Sequence, residues 1–230
     1  MLYIGLDDTD ILGTPGTGRL ARDMATLLAG EYAMGGIVRQ QLFYDPRVPF
    51  TKNNSSACIL LENGASAHAG AIAERVRTFM REHFQPGSDP GLCVSAVAPP
   101  ECIAFGHRAQ RELVTQAEAR ALAAAHGIYL EGLGGTEDGV IGALAAIGLT
   151  ASGDDGRYIL VGRSRELHGL QPVTALLEAG IAAVQLESGE PVTEGWVLAD
   201  FLRPARRGGR PVAVVTWSVE DRCWLPLKLD

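Results

Sequence analysis

The sequence predicts an α+β protein in which a ferredoxin-like βαββαβ first half packs on a second α/β half. Three features carry that expectation: short apolar runs bounded by Gly, Pro and Asp, apolar residues recurring at three and four between them, and the order β-α-β-β-α-β over residues 1–100. Leu2 to Leu6 reads as a buried strand. Leu20, Met24, Leu27 and Leu28 then share one helical face. Gly35 to Tyr44 and Ala57 to Leu61 are the next extended runs, separated by Asp45, Pro46, Pro49 and the polar segment Thr51 to Ser56. Ala69, Ile72, Ala73, Val76, Phe79 and Met80 define a second helix, stopped by Pro86 and Gly87 before the strand Leu92 to Val97.

Beyond Pro99 and Pro100 the pattern breaks into shorter pieces richer in Ala and Gly. Thr115 and Glu118 form a capping box ahead of Ala119 to Ala125, with Gly127 as the stop. Gly132, Gly134 and Gly135 lead through Thr136, Glu137 and Asp138 into an apolar helix that ends at Gly148. Arg157 to Val161 reads as a strand, Pro172 to Ala179 as a short helix and Ile181 to Leu186 as a strand. Glu194 to Leu198, Pro211 to Trp217 and Cys223 to Leu227 close the chain as strands. The expected division is 1–100 for the ferredoxin-like, kinase-like half and 101–230 for the second half, with interleaving allowed because the linkers are short.

Composition narrows the function. A chain of 230 residues that is 47% hydrophobic can bury a substantial core. The formal charge of −7 argues against binding nucleic acid by general electrostatics and leaves room for a local basic patch. Cys58, Cys93, Cys102 and Cys223 lack Cys-x-x-Cys spacing and read as isolated buried thiols, which fits a reduced, cytoplasmic setting. The N-terminus shows no basic leader with an apolar core, and no apolar run approaches the ~20 residues of a membrane span.

The chemistry concentrates where the first strand ends, at Asp7, Asp8, Thr9 and Asp10. Three crowded carboxylates repel one another unless a cation sits between them, and Mg²⁺ is the usual one, which makes metal-bound phosphate the leading reading. The plainer alternative has Thr9 and Asp10 capping a turn while Asp7 is solvated. The loop Gly13 to Gly18 enters a helix, so amides around Gly16, Thr17 and Gly18 are candidates to meet a phosphate. Thr14 and Thr17 add hydroxyls for a metal or a phosphoryl group, with helix capping as the competing role of Thr17. Gly135, Gly139 and Gly142 line a second glycine-rich approach to a helix start, where close packing is the competing explanation. Lys52 is the candidate for neutralising a transferring phosphoryl group. Arg203, Arg206, Arg207 and Arg210 form the one basic cluster in the sequence, read either as an RNA contact or as charge guarding a hairpin edge. The five histidines have no metal-helix spacing, and no nucleophile elbow is present.

Taken together, Gly5-Leu6-Asp7-Asp8-Thr9-Asp10, the glycine-threonine loop and the stretch Gly139 to Gly148 resemble the archaeal 2-agmatinylcytidine synthetase family, which modifies an isoleucine tRNA. That family joins a kinase-like and a ferredoxin-like domain to an OB fold and a zinc ribbon, and uses ATP and Mg²⁺ to activate a cytidine by phosphorylation before agmatine attacks. The resemblance implies metal binding by Asp7, Asp8 and Asp10, and a nucleotide between the first loop and the Gly139 helix. The family has paired threonines in its first loop, one of them phosphorylated; Thr17 matches the first, and Gly18 stands at the second. The family's Lys-Thr-Arg-Gly-Asn-Gly loop is replaced by Thr51 to Ser56, which shifts the lysine and drops the arginine. No OB fold or zinc ribbon is read here, so ATP use carries over better than tRNA modification.

The resulting expectation is an ATP- and Mg²⁺-dependent phosphotransferase or nucleotide-cleaving enzyme. Asp8, Thr17 and Lys52 are its catalytic candidates. Asp7, Asp8 and Asp10 are the metal candidates, and Asp7, Thr9, Gly16, Thr17, Gly18, Gly135, Gly139 and Gly142 the nucleotide contacts. A small-molecule acceptor comes first and tRNA second. The rival expectations are a non-catalytic nucleotide or metabolite sensor and a tRNA-modifying subunit.

Overall fold

The computed structural model describes residues 1–51, 53–62, 64–200 and 202–229. Strand β1 (Leu2–Asp7) is followed by α1 (Thr17–Leu28), β2 (Met34–Gln41), β3 (Ser55–Leu61), α2 (Ala69–His83) and β4 (Gly91–Ser95). These strands lie in the order β4-β1-β3-β2 with every pairing antiparallel, the ferredoxin-like arrangement expected from the sequence. Alternation along β1 builds two faces. Leu2, Ile4 and Leu6 pack with Leu20, Met24 and Leu28 of α1 and Ile72, Val76 and Met80 of α2.

The opposite face, which presents Tyr3 and Gly5, is covered by three further helices: α3 (Pro100–Ala109), α4 (Gln116–Ala125) and α5 (Gly139–Ser152). Helix α5 is apolar nearly all round because it is sandwiched, with β1, β3 and β4 on one side and α3 and α4 on the other. Its approach to the sheet is very close. A Cβ on Gly5 would run into the Ala143 carbonyl, and one on Gly91 into the backbone of Gly139. The expected capping box is present at α4, where Thr115 accepts from the Glu118 amide at 3.2 Å and Glu118 accepts from the Thr115 amide at 2.8 Å.

Four elements were not legible as such: α3, the strand Tyr129–Gly132, and the three-residue strands Leu170–Pro172 and Ala205–Arg207. Pro99 and Pro100 read as a break, yet Pro100 starts α3, where its missing N–H costs nothing, and Cys102, Phe105 and Ala109 bury the face beyond it. Strand β5 (Tyr129–Gly132) is half-buried along its length and lacks an apolar alternation.

The second half completes the same sheet from both ends. Strand β5 adds to the edge at β4, and β6 (Arg157–Leu160) adds to the edge at β2. From β6 the path continues through β10 (Ala205–Arg207), β11 (Arg210–Ser218), β12 (Cys223–Pro226), β9 (Trp196–Leu198) and β7 (Leu170–Pro172). The short helix α6 (Val173–Glu178) and strand β8 (Ala183–Gln185), parallel to β11, close a third apolar cluster with Val197, Ala213 and Val215. All four cysteines are buried free thiols, and burial pushes Cys58 up to about 12. Among the described residues no helix is long and apolar enough to cross a membrane.

Candidate active site

Alternation sends the Asp7 side chain toward α5, where it lies so close that a Cβ on Gly142 would overlap its carboxylate. Burial, then the neighbouring Asp8 carboxylate, pushes Asp7 up to about 8. Asp8 follows at φ +51°, a left-handed conformation that turns the chain out of the strand. Burial, then Asp89 and Asp10, pushes Asp8 up to about 6, with a smaller contribution from Asp138. Five carboxylates, from Asp7, Asp8, Asp10, Asp89 and Asp138, therefore influence one another at this end of β1.

Asp10 has a definite structural task. It accepts hydrogen bonds from the Thr17 amide at 2.9 Å, the Thr17 hydroxyl at 3.2 Å and the Thr51 hydroxyl at 3.1 Å. It thereby caps α1, whose N-cap residue Gly16 has no side chain to do so. The Thr17 hydroxyl also accepts from Thr9 Oγ1 at 3.1 Å and is buried, so it is fully engaged within the loop. Asp10 is the member of the acidic trio most firmly committed to holding the backbone.

The glycines before α5 serve close packing. Gly135 sits at φ +59° against the Asp89 carboxylate, which accepts the Thr136 amide at 2.5 Å. The first amides of α5 already have acceptors: Gly139 donates to the Asp89 carbonyl at 2.9 Å, Val140 to Glu137 at 3.1 Å and Ile141 to Asp138 at 3.0 Å. A phosphate at this helix start would compete with those bonds.

These elements enclose a cavity of about 240 Å³. Asp7, Asp8, Asp10, Thr17, Gly139 and Gly142 line one wall, together with Asp138. Leu42, Phe43, Phe50, Leu113 and Val114 line the apolar side. Of the other candidates, Gly16 and Gly18 face a neighbouring cavity, Thr9 is buried beneath the loop, and Gly135 packs on Asp89. Lys52 lies outside the described residues. Among those described, no three His, Cys, Asp or Glu side chains are grouped as a preformed metal centre. Mg²⁺ does not require one, since it typically takes one or two carboxylates and fills its remaining positions with water and phosphate oxygens.

Sequence reasoning missed Asp89 and the apolar wall. A signal for Asp89 existed: in the order β4-β1-β3-β2 the start of β4 lies beside the end of β1, and Gly91 pairs with Asp7. The apolar wall had none, because its residues come from the segment after β2 and the loop after α3.

No protein-family model and no curated protein sequence matches this chain. Solved structures do, among them the isoleucine-tRNA agmatidine synthetase TiaS, over 64% of this chain at 22% identity and a TM-score of 0.52. The fold is shared with TiaS. The TiaS complex with an isoleucine tRNA and ATP matches at 21% identity and a TM-score of 0.54, and a tRNA fluorescent labeling enzyme at 23% and 0.56. Each match covers 64% of this chain, and this chain spans only about a third of TiaS, 35% in the ligand-free structure. At such identity the likeness concerns architecture, and it agrees with the resemblance carried by the Asp7 to Asp10 and Gly139 to Gly148 stretches.

Proposed function

We propose that this chain is an ATP- and Mg²⁺-dependent phosphotransferase or nucleotide-cleaving enzyme acting on a small molecule. The observation that carries the reading is the pairing, in one cavity, of a mutually repelling carboxylate rim with an apolar wall. Asp7 and Asp8 would hold a divalent ion there, whose charge would offset that repulsion and neutralise phosphate oxygens. Phe43, Phe50, Leu113 and Val114 offer the surface on which a nucleobase would rest. Asp10 and Thr17 hold the loop in shape, and Lys52 is assigned to charge neutralisation during transfer. Catalysis in this scheme comes from positioning and charge compensation, with no covalent nucleophile. The shared fold supports ATP use, since the TiaS complex contains ATP.

That complex also contains tRNA, which makes tRNA the second reading for the acceptor. The net charge of −7 favours the smaller one. Calorimetry with ATP, with Mg²⁺ and with EDTA, tests the proposal alongside an assay for ADP, AMP or phosphate. Mg²⁺-dependent binding that Asp8→Asn weakens tenfold or more, accompanied by product, is the expected result. Binding without product assigns the chain to the sensors, and binding indifferent to Asp8→Asn and to Mg²⁺ overturns the metal site.

A further inference from the structure

A second cavity, of about 360 Å³, opens on the α1 face of the sheet and shares Asp10, Thr17, Thr51, Asn53 and Ser55 with the acidic one. Its character is the opposite. Arg19, Arg22 and Arg39 line it, together with Ile159. The Arg165 guanidinium donates to the Ile159 carbonyl at 3.3 Å, and the Ile159 side chain and the Arg22 guanidinium both lie within 4 Å of where a Gly18 Cβ would stand. Arg203 stands close enough to bear on Arg22 as well.

The arrangement is electrostatically costly as it stands. Arg19 is paired with Asp23 at 2.9 Å. Arg22, Arg165 and Arg203 make no ion pair with a carboxylate among the described residues; Arg203 donates to the Leu202 carbonyl at 2.7 Å. Burial, then Arg165, pulls both Arg22 and Arg203 below the usual guanidinium range, with Arg19 and Arg203 adding to the effect on Arg22 and Asp23 opposing it. Arg39 stands opposite Arg157 across the β2–β6 pairing and donates to Gln41 Oε1 at 3.1 Å. Three arginines lining one cavity, with Arg165 and Arg203 bearing on Arg22 from beside it, call for an anion in a chain of net charge −7. The guanidinium fork matches a phosphate bidentately, which an ordinary counterion does not exploit.

We propose that this arginine-lined groove binds the phosphate group of a small phosphorylated acceptor, next to the cavity assigned to the nucleotide. The inference deepens the phosphotransferase reading by naming the chemical class of its second substrate. A handful of arginines on an acidic chain suits one phosphate better than the extended backbone of an RNA.

The test uses the full chain in EDTA, with phenyl phosphate and inorganic phosphate as probes and sodium chloride at matched ionic strength as control. Both probes are expected to bind and to raise the unfolding temperature. Arg22→Gln weakens phenyl phosphate by about tenfold or more, the loss of one charge-assisted hydrogen bond or a pair of them, and Arg203→Gln, which bears on Arg22 without lining the cavity, weakens it by less. Both variants are expected to unfold at or above the wild-type temperature without ligand, because each relieves repulsion, so lost binding is not lost folding. Asp8→Asn leaves phenyl phosphate binding unchanged, and Arg22→Gln leaves Mg²⁺-dependent ATP binding unchanged. If ATP fails to bind while the arginine-dependent phosphate site persists, the nucleotide reading falls and the groove stands. If neither probe binds, or binding ignores both arginine variants, the groove proposal is overturned. Binding of RNA alone, falling steeply with salt, overturns it in favour of a nucleic-acid partner.

Discussion

Replacing Asp7 by Asn removes an ionisable group from the end of β1 and keeps its shape. An ordinary Asp titrates near 3.8, whereas Asp7 is pushed up to about 8 by burial and by Asp8. Between those values the folded chain holds a proton that the unfolded chain has released. The unfolded state thus binds fewer protons, and stability falls with rising pH by about 1.4 kcal/mol per unit. Below about pH 4 both states are protonated and the group contributes nothing; above about pH 8 both are ionised and the whole penalty is present. Asp8, pushed up to about 6, gives a slope of the same sign that ends near pH 6. From pH 6 to 8 Asp7 alone would remove about 2.7 kcal/mol. Solvent at its exposed edge and the positive end of α5 reduce that to about 1–2 kcal/mol. Urea unfolding in EDTA at pH 6, 7 and 8 reads this directly. Asp7→Asn should lose the slope and gain about 1–2 kcal/mol on the wild type across that interval. A constant difference between the two proteins at all three pH values would refute the burial argument for Asp7.

Two further outcomes follow from the packing. Gly142→Ala places a Cβ on the Asp7 carboxylate, at about 1–3 kcal/mol by urea titration; in an Asp7→Ala background the carboxylate clash is removed and the loss should shrink, while the contact with the Cβ of residue 7, at 2.9 Å, remains. Arg206 is buried and donates to the Thr150 and Gly209 carbonyls, each at 2.8 Å, and to the Tyr158 hydroxyl. Arg206→Met should therefore cost about 2–4 kcal/mol by calorimetry, whereas Arg207→Gln on the same hairpin should change stability by less than about 0.5 kcal/mol.

Arg206 also shows where linear reading stops. Arg203, Arg206, Arg207 and Arg210 look like one basic patch in the sequence, yet Arg206 ties the end of α5 to the β10–β11 hairpin and so cannot serve as a surface contact for RNA. The ferredoxin-like order, by contrast, was legible, because each element announces itself through local periodicity and its own stops. Asp7, Asp8, Asp10, Thr17, Gly139 and Gly142 do reach one cavity. What the sequence left open was the division of labour among them, where capping and close packing stood as the competing roles: Asp10 caps α1, and Gly139 and Gly142 admit α5 to the sheet. Pro99 and Pro100 misled for a related reason, since proline ends some helices and begins others, and the distinction rests on the burial of Cys102, Phe105 and Ala109.

The sequence by itself determined the acidic tip at the end of the first strand, the alternation that turns Asp7 away from α1 and α2, and the helices whose caps and periods are written in consecutive residues. Tertiary structure alone decided which distant groups meet that tip. Antiparallel pairing of β4 with β1 brings Asp89 to Asp8, and docking of α5 brings Asp138. The addition of β6 to β2 sets Arg157 opposite Arg39, with Arg165 and Arg203 brought up to Arg22 nearby. Local periodicity fixes the face on which a side chain emerges, but the neighbour it finds there depends on strand order and register between segments far apart in the chain.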